Sequence, residues 1–189
     1  FPVISISLKG VEGQTFQEAL AAMKYIIGQE ALRFGFLLES DRLSDKDKDI
    51  YQQLTEIGKG TGSLFAMTND VLGTSLKTLS DLLCRHYGKN VILLIDEYDV
   101  PLDKAYQNGY YREMVSLIRG LFGQALKTND YLQFAFLTGC LRVSKESIFT
   151  GLNNFKVLSI VNKLKQDGMR NFIKYGIACF KKICKVVVE

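Results

Sequence analysis

Five consecutive apolar residues run straight into two adjacent carboxylates at Val91-Ile92-Leu93-Leu94-Ile95-Asp96-Glu97. A strand with one wet face alternates apolar and polar residues, whereas an unbroken run suits a strand buried on both faces, as in a parallel sheet. Parallel strands need long crossover connections, usually helical, so this one segment already implies an α/β chain. Such sheets deliver the residues at their strands' carboxyl ends to the ligand crevice, which puts Asp96 and Glu97 at a binding edge. Asp99 adds a third carboxylate, and Pro101, with no N–H for a ladder, marks a point by which the strand is over. A buried strand ending in a solvated acidic turn would look the same, so these residues leave both readings open.

The flanking pattern carries the α/β reading through the chain. Val3-Ile4-Ser5-Ile6-Ser7-Leu8 reads as a strand. Thr15 then opens a capping box with Glu18, ahead of apolar residues at 16, 20, 23, 27, 31 and 34. Residues 39–63 are rich in charge and glycine, and the run Ser44-Asp45-Lys46-Asp47-Lys48-Asp49 reads as a solvated loop or helix face. Leu72, Leu76, Leu79, Leu82 and Leu83 mark a helix that Gly88 should terminate. Met114, Leu117, Ile118, Leu121, Phe122, Ala125 and Leu126 mark another, and Leu132-Gln133-Phe134-Ala135-Phe136-Leu137 reads as a strand ending at Thr138-Gly139. This order implies right-handed crossovers and a parallel sheet covered on both faces.

With 189 residues and 47% hydrophobic content the chain is ample for a globular domain with a core. Its net charge of +4 is too small to argue for nucleic acid by itself. The charge is uneven, however. Residues 161–189 carry seven basic side chains against Asp167 and Glu189, which leaves the first 160 residues with 17 basic and 18 acidic. Cys84, Cys140, Cys179 and Cys184 show no metal-ligand pairing, and the single His86 has no second pair near it, so reduced thiols are expected. No apolar run reaches transmembrane length, which together with the thiols makes the cytoplasm the expected compartment.

The carboxylates have a specific chemistry available to them. In P-loop ATPases the Asp that ends such a strand helps hold Mg²⁺, and a neighbouring Glu can polarise the attacking water. Thr138, at the carboxyl end of the following strand, stands where ATPases often place a side chain that contacts the γ-phosphate or that water. Arg142-Val143-Ser144-Lys145-Glu146-Ser147 is dense in donors suited to phosphate oxygens. Each of these segments could equally be an ordinary turn. A phosphate cradle needs G-x-x-x-x-G-K-[ST] between a strand and a helix, and no segment of the sequence satisfies it. Gly58-Lys59-Gly60-Thr61-Gly62-Ser63 has its Lys between glycines and no hydrophobic strand before it, and reads as a loop.

VILLIDEYDVP (residues 91–101), FLTG (136–139) and SKESIFTGLNN (144–154), in this order and spacing, closely resemble the bacterial AAA-ATPase-like family of P-loop proteins. Its members typically join an NTPase domain to a C-terminal domain of the PD-(D/E)XK nuclease superfamily. The resemblance implies a three-layer P-loop NTPase-like parallel sheet flanked by helices, incomplete at the N-terminus, and ATP and Mg²⁺ as cofactors. It makes Asp96 the Mg²⁺-coordinating position, Glu97 the water-activating one and Thr138 a sensor. Arg142, Ser144 and Lys145 fall in a family signature and are expected on the nucleotide side; Ser147, Asn153 and Asn154 share that signature without an assigned role. It further implies a partial ATPase-like domain over residues 1–160 without its phosphate loop, then a remnant of the nuclease-like domain's C-terminal end over 161–189. The acid-acid-Lys constellation of such a nuclease is missing from those last residues. Two functions follow as expectations. One is an ATPase core that hydrolyses nothing by itself; the other is a non-catalytic module whose basic tail, Lys163 to Lys185, binds nucleic acid or a protein partner. A strand left unpaired by the absent first strand would make the chain less stable and more prone to aggregate than a full-length relative.

Overall fold

In the computed structural model the described residues are 1–58 and 64–139. They build three strands, β1 (Val3–Ser7), β2 (Val91–Asp96) and β3 (Leu132–Leu137), and five α-helices: α1 (Phe16–Leu32), α2 (Asp45–Thr55), α3 (Asn69–Tyr87), α4 (Val100–Gln107) and α5 (Tyr111–Phe122). The strands form one parallel sheet in the order β1-β2-β3, and the connections between them run through helices, as parallel pairing requires. The chain is therefore α/β with a parallel sheet flanked by helices. The acidic strand is its middle member, and every residue from Val91 to Ile95 is buried.

Alternation sorts the sheet residues onto two faces. Ile4 and Ile6 of β1 and Val91, Leu93 and Ile95 of β2 join one hydrophobic core with α1, α3, α4 and α5, and Ala135 and Leu137 of β3 pack against it. Val3, Ile92, Leu94, Phe134 and Phe136 point the other way and lie outside that core; Phe134 and Phe136 remain 44% and 43% exposed. The cover expected on both faces is thus supplied on one face by the described helices.

Local signals explain most helix boundaries. Thr15 caps α1 by accepting the Glu18 N–H at 3.3 Å, but Glu18 reaches past Thr15 to the Gln14 N–H at 2.7 Å, so the box is displaced by one residue. Phe34 falls beyond the end of α1 and still reaches the core. Ser44 and Asp47 make a reciprocal capping box, which turns the charged run at 44–49 into the exposed start of α2. Gly88 ends α3 with φ +65°, a left-handed conformation that glycine adopts without a Cβ penalty. α4 had no periodic signature in the sequence; Pro101 sits in its first turn, where a missing N–H costs nothing. α5 passes into a π-helical turn, Gly123–Lys127, which carries the buried Ala125.

The outer side of β1 is closed by a side chain. The buried Glu30, in the last turn of α1, accepts the Ser5 N–H at 2.7 Å and is held by Arg33 through two contacts of 2.8 and 2.7 Å. The carboxylate therefore takes the ladder position that another strand would otherwise occupy. Burial pushes the Glu30 carboxyl above its ordinary value of 4.5, against the opposing pull of the Ser5 N–H and of Arg33.

Because the folded state holds this proton to higher pH than the unfolded chain, its contribution is complete below 4.5 and is lost as pH rises through the raised folded value. In chemical denaturation at several pH values, Glu30→Gln should remove that decline. Glu30→Ala, which leaves the Ser5 N–H without an acceptor, should cost about 1–3 kcal/mol throughout. Equal stability of the Ala and Gln variants would show that the edge bond is immaterial.

Candidate functional site

The carboxyl end of β2 is built by its neighbours as much as by its own sequence. Register pairs Ser7 of β1 with Asp96, and Leu94 with Phe136 of β3, two residues before Thr138. Paired residues of adjacent strands share a face, so Ser7, Asp96 and Thr138 form one row of oxygen-bearing side chains across the three strands. The rows beneath it become steadily more apolar: Ser5, Leu94 and Phe136, then Val3, Ile92 and Phe134.

Thr138 holds the end of β2 at three points. Its N–H donates to Ile95 O at 2.9 Å, its carbonyl accepts the Tyr98 N–H at 3.0 Å, and its hydroxyl donates to Asp96 Oδ1. Asp96 Oδ1 also accepts the Glu97 N–H at 3.0 Å. One oxygen of a half-buried carboxylate is thereby fixed, and among the described residues Oδ2 accepts no hydrogen bond. Asp96 and Thr138, singled out separately in the sequence, are in direct contact.

Glu97 stands where the strand breaks. Its φ is +53°, the only positive value at a non-glycine among the described residues. A left-handed backbone costs an ordinary L-residue about 1–2 kcal/mol, and such strain concentrates at functional sites. Among the described residues the Glu97 carboxylate makes no hydrogen bond or ion pair, although its carbonyl accepts the Val100 N–H at 3.2 Å. The turn continues into Asp99, which is buried and begins α4 by accepting the backbone N–H groups of Leu102 and Asp103 through its carbonyl. Burial, and then the Asp99 charge, push the Tyr98 phenol upward, so it stays neutral at physiological pH. Gly139 lies against this turn; a Cβ there would come within 2.5 Å of Asp99 Oδ1 and 2.8 Å of Tyr98 Cε1.

The loop after β1 is pinned from the same side. Gly13 O accepts the Tyr110 hydroxyl at 2.8 Å and Asn108 Nδ2 at 3.2 Å, and Lys104 pairs with Glu12 at 3.4 Å. Neither Ser7 nor these tethers were evident as site elements in the sequence; the one signal was the polar end of the alternation Ile4-Ser5-Ile6-Ser7. Arg142, Ser144 and Lys145 lie outside the described residues, as do Ser147, Asn153, Asn154 and the basic tail.

The remaining candidates have structural settings. His86 Nδ1 lies 2.8 Å from Ser40 Oγ within a cluster containing Phe36 and Tyr87, and the half-buried Cys84 is a free thiol facing Asn90 Oδ1 at 3.5 Å. Residues 59–63 are outside the described set, but their stems are: Gly58 N–H donates to Leu64 O at 2.8 Å beside a bridge between Ile57 and Phe65. That segment follows helix α2 instead of a sheet strand, unlike a phosphate cradle.

Among the described residues no three His, Cys, Asp or Glu side chains gather as a metal cage. Mg²⁺ does not require one, since it usually keeps several waters and takes one or two carboxylates plus substrate phosphates. Asp96, which stands in register between Ser7 and Thr138, fits that donor chemistry. No described helix is long and apolar enough to cross a membrane.

A family model described as "Predicted AAA-ATPase", the AAA-ATPase-like family, matches residues 1–149. An "Uncharacterized protein in vnfD 5'region" from Azotobacter chroococcum mcd 1 is 36% identical over 74 residues, covering 39% of this chain. The matched stretch spans only 14% of that relative's length. No solved structure matches.

If the Glu97 conformation is imposed by the site, Glu97→Gly should relieve steric strain at an entropic cost of about 0.5–1 kcal/mol. Its denaturant midpoint should equal or exceed that of the parent chain. A loss of more than about 1 kcal/mol would instead make the Glu97 side chain a structural element.

Proposed function

The chain belongs to the AAA-ATPase-like family, and from that premise we propose that its carboxyl-end row is the metal-binding and water-activating half of an ATP-hydrolysing site. In this reading Asp96 would hold Mg²⁺ through Oδ2, Thr138 fixes the carboxylate with its one hydroxyl proton and keeps an oxygen lone pair that can accept from the attacking water, and Glu97 polarises that water. The bound ion would neutralise charge on the β- and γ-phosphates. Arg142, Ser144 and Lys145 are proposed to serve the nucleotide side.

The observation that carries the proposal is the fixing of Asp96 Oδ1 by the Thr138 hydroxyl and the Glu97 N–H at the end of the central parallel strand. Held this way the carboxylate cannot rotate freely, and its second oxygen is presented to a cation. Glu97 has no partner among the described residues, as suits a group that must hold a water. Tyr98 and Asp99 belong to the turn that keeps the two carboxylates in place.

The sequence contains no Gly-rich Lys-Ser/Thr loop, and that loop supplies most donors to the β- and γ-phosphates. The 189-residue chain should therefore contribute the acidic half of a nucleotide site and, alone, bind Mg-ATP too weakly for turnover. Calorimetric titration of the chain with Mg-ATP should give no saturation below about 1 mM, the affinity that corresponds to only about 4 kcal/mol. Micromolar binding would overturn this division of labour and require a second phosphate cradle within these residues.

A further inference from the structure

Ser7 is the member of the row that no sequence motif marks and that no other part of the site uses. It ends β1, its Cα is paired with that of Asp96, and it is exposed. Adjacent strands lie about 4.8 Å apart, so Asp96 stands between two hydroxyl residues at similar lateral distances. The one on the β3 side, Thr138, is already committed to Asp96 Oδ1. The one on the β1 side is not. Among the described residues its hydroxyl makes one hydrogen bond, a long one of 3.5 Å from the Lys9 N–H, which uses the oxygen as acceptor and leaves the hydroxyl proton and a further lone pair available.

We infer that Ser7 is a positioning residue of the cation site: its hydroxyl holds a water in the hydration shell of the ion bound to Asp96 Oδ2. The inference rests on the reading of Asp96 as the cation ligand. Its chemistry follows from what a small hard cation demands. Such an ion gives up its waters reluctantly, so a site with one protein carboxylate must orient water by hydrogen bonds from neighbouring side chains. On the β3 side Thr138 is consumed in fixing the carboxylate itself. The β1 side is where a water-orienting group is needed, and the loop that follows Ser7 is tethered at Gly13 O by Tyr110 and Asn108. Ser5, two residues earlier on the same face, pairs with Leu94 and lacks any acidic neighbour in register, which makes it the internal control.

The test is a Mn²⁺ titration of the full chain without nucleotide, followed by paramagnetic broadening in its ¹H–¹⁵N spectrum. In the parent chain the signals of Ser7, Asp96, Glu97 and Thr138 should broaden first. Ser7→Ala should weaken Mn²⁺ binding about three- to tenfold, the fold-change of one hydrogen bond, while Ser7→Thr restores it and Ser5→Ala leaves it unchanged. Loss of broadening in Asp96→Asn with parent-like binding in Ser7→Ala would overturn the role of Ser7 and leave the Asp96 site standing. Absence of selective broadening around Asp96 in the parent chain would overturn both. Unfolding curves of the Ser7 variants should overlay that of the parent, and a destabilised Ser7→Ala that Ser7→Thr fails to rescue would assign Ser7 to the fold instead.

Discussion

The double-sided burial of β2 is the constraint on which the rest depends. Hiding each of its Val, Leu and Ile side chains is worth about 1.5–3 kcal/mol, so no arrangement that leaves either face of this segment in water could compete. Yet a strand that is apolar on both faces cannot fix its own register, because a one-residue slip exchanges one apolar set for another. Its partners supply what it lacks. Ile4 and Ile6 must enter the core while Ser5 and Ser7 stay out, and that alternation in β1 sets which β2 residues face which way. The position of Asp96 on the face shared with Ser7 is thus decided in β1.

The same asymmetry organises the edges and faces. Helices α1, α3, α4 and α5 converge on one side, and the other carries a gradient from Phe134 and Phe136 up to the hydroxyl and carboxylate row. On the outer side of β1, Glu30 accepts one edge N–H, that of Ser5, with a carboxylate in place of a neighbouring strand. A buried acid is a costly cap, which its raised pKa reflects. Its merit is directional: an acceptor fixed by Arg33 satisfies the edge without offering a template for another strand.

The strands and the long helices were legible because their signals are local. Apolar periodicity, the Thr15 cap and the Gly88 stop gave β1, α1, β2 and β3 nearly to the residue, and showed α3 and α5 from their first core positions, three residues inside each helix's start. What was hidden depends on tertiary context. The charged run at 44–49 is ambiguous until Ser44 and Asp47 are seen to close a capping box, and α4 is too short for a period to register. Thr138 was recognisable by position, but its three bonds across the Asp96–Glu97 turn need the register of two strands. Ser7 was less visible still, since nothing in a serine after an isoleucine announces a carboxylate almost ninety residues away. Only the pairing of β1 with β2 does so.

That pairing also clarifies how two adjacent carboxylates could divide their labour in the proposed site. In a continuing strand Asp96 and Glu97 would point to opposite faces and both would be fixed by the ladder. The left-handed turn at Glu97 ends the extended conformation after Asp96, and the Tyr98 N–H returns to Thr138 O so that the ladder closes around the kink. Asp96 stays in the sheet's hydroxyl row with one oxygen immobilised, while Glu97 leaves it with a carboxylate that no described residue restrains. The proposed site asks for two different things, a fixed cation ligand and an adjacent group able to hold a water. A single φ of +53°, stabilised by one threonine, is sufficient to separate them.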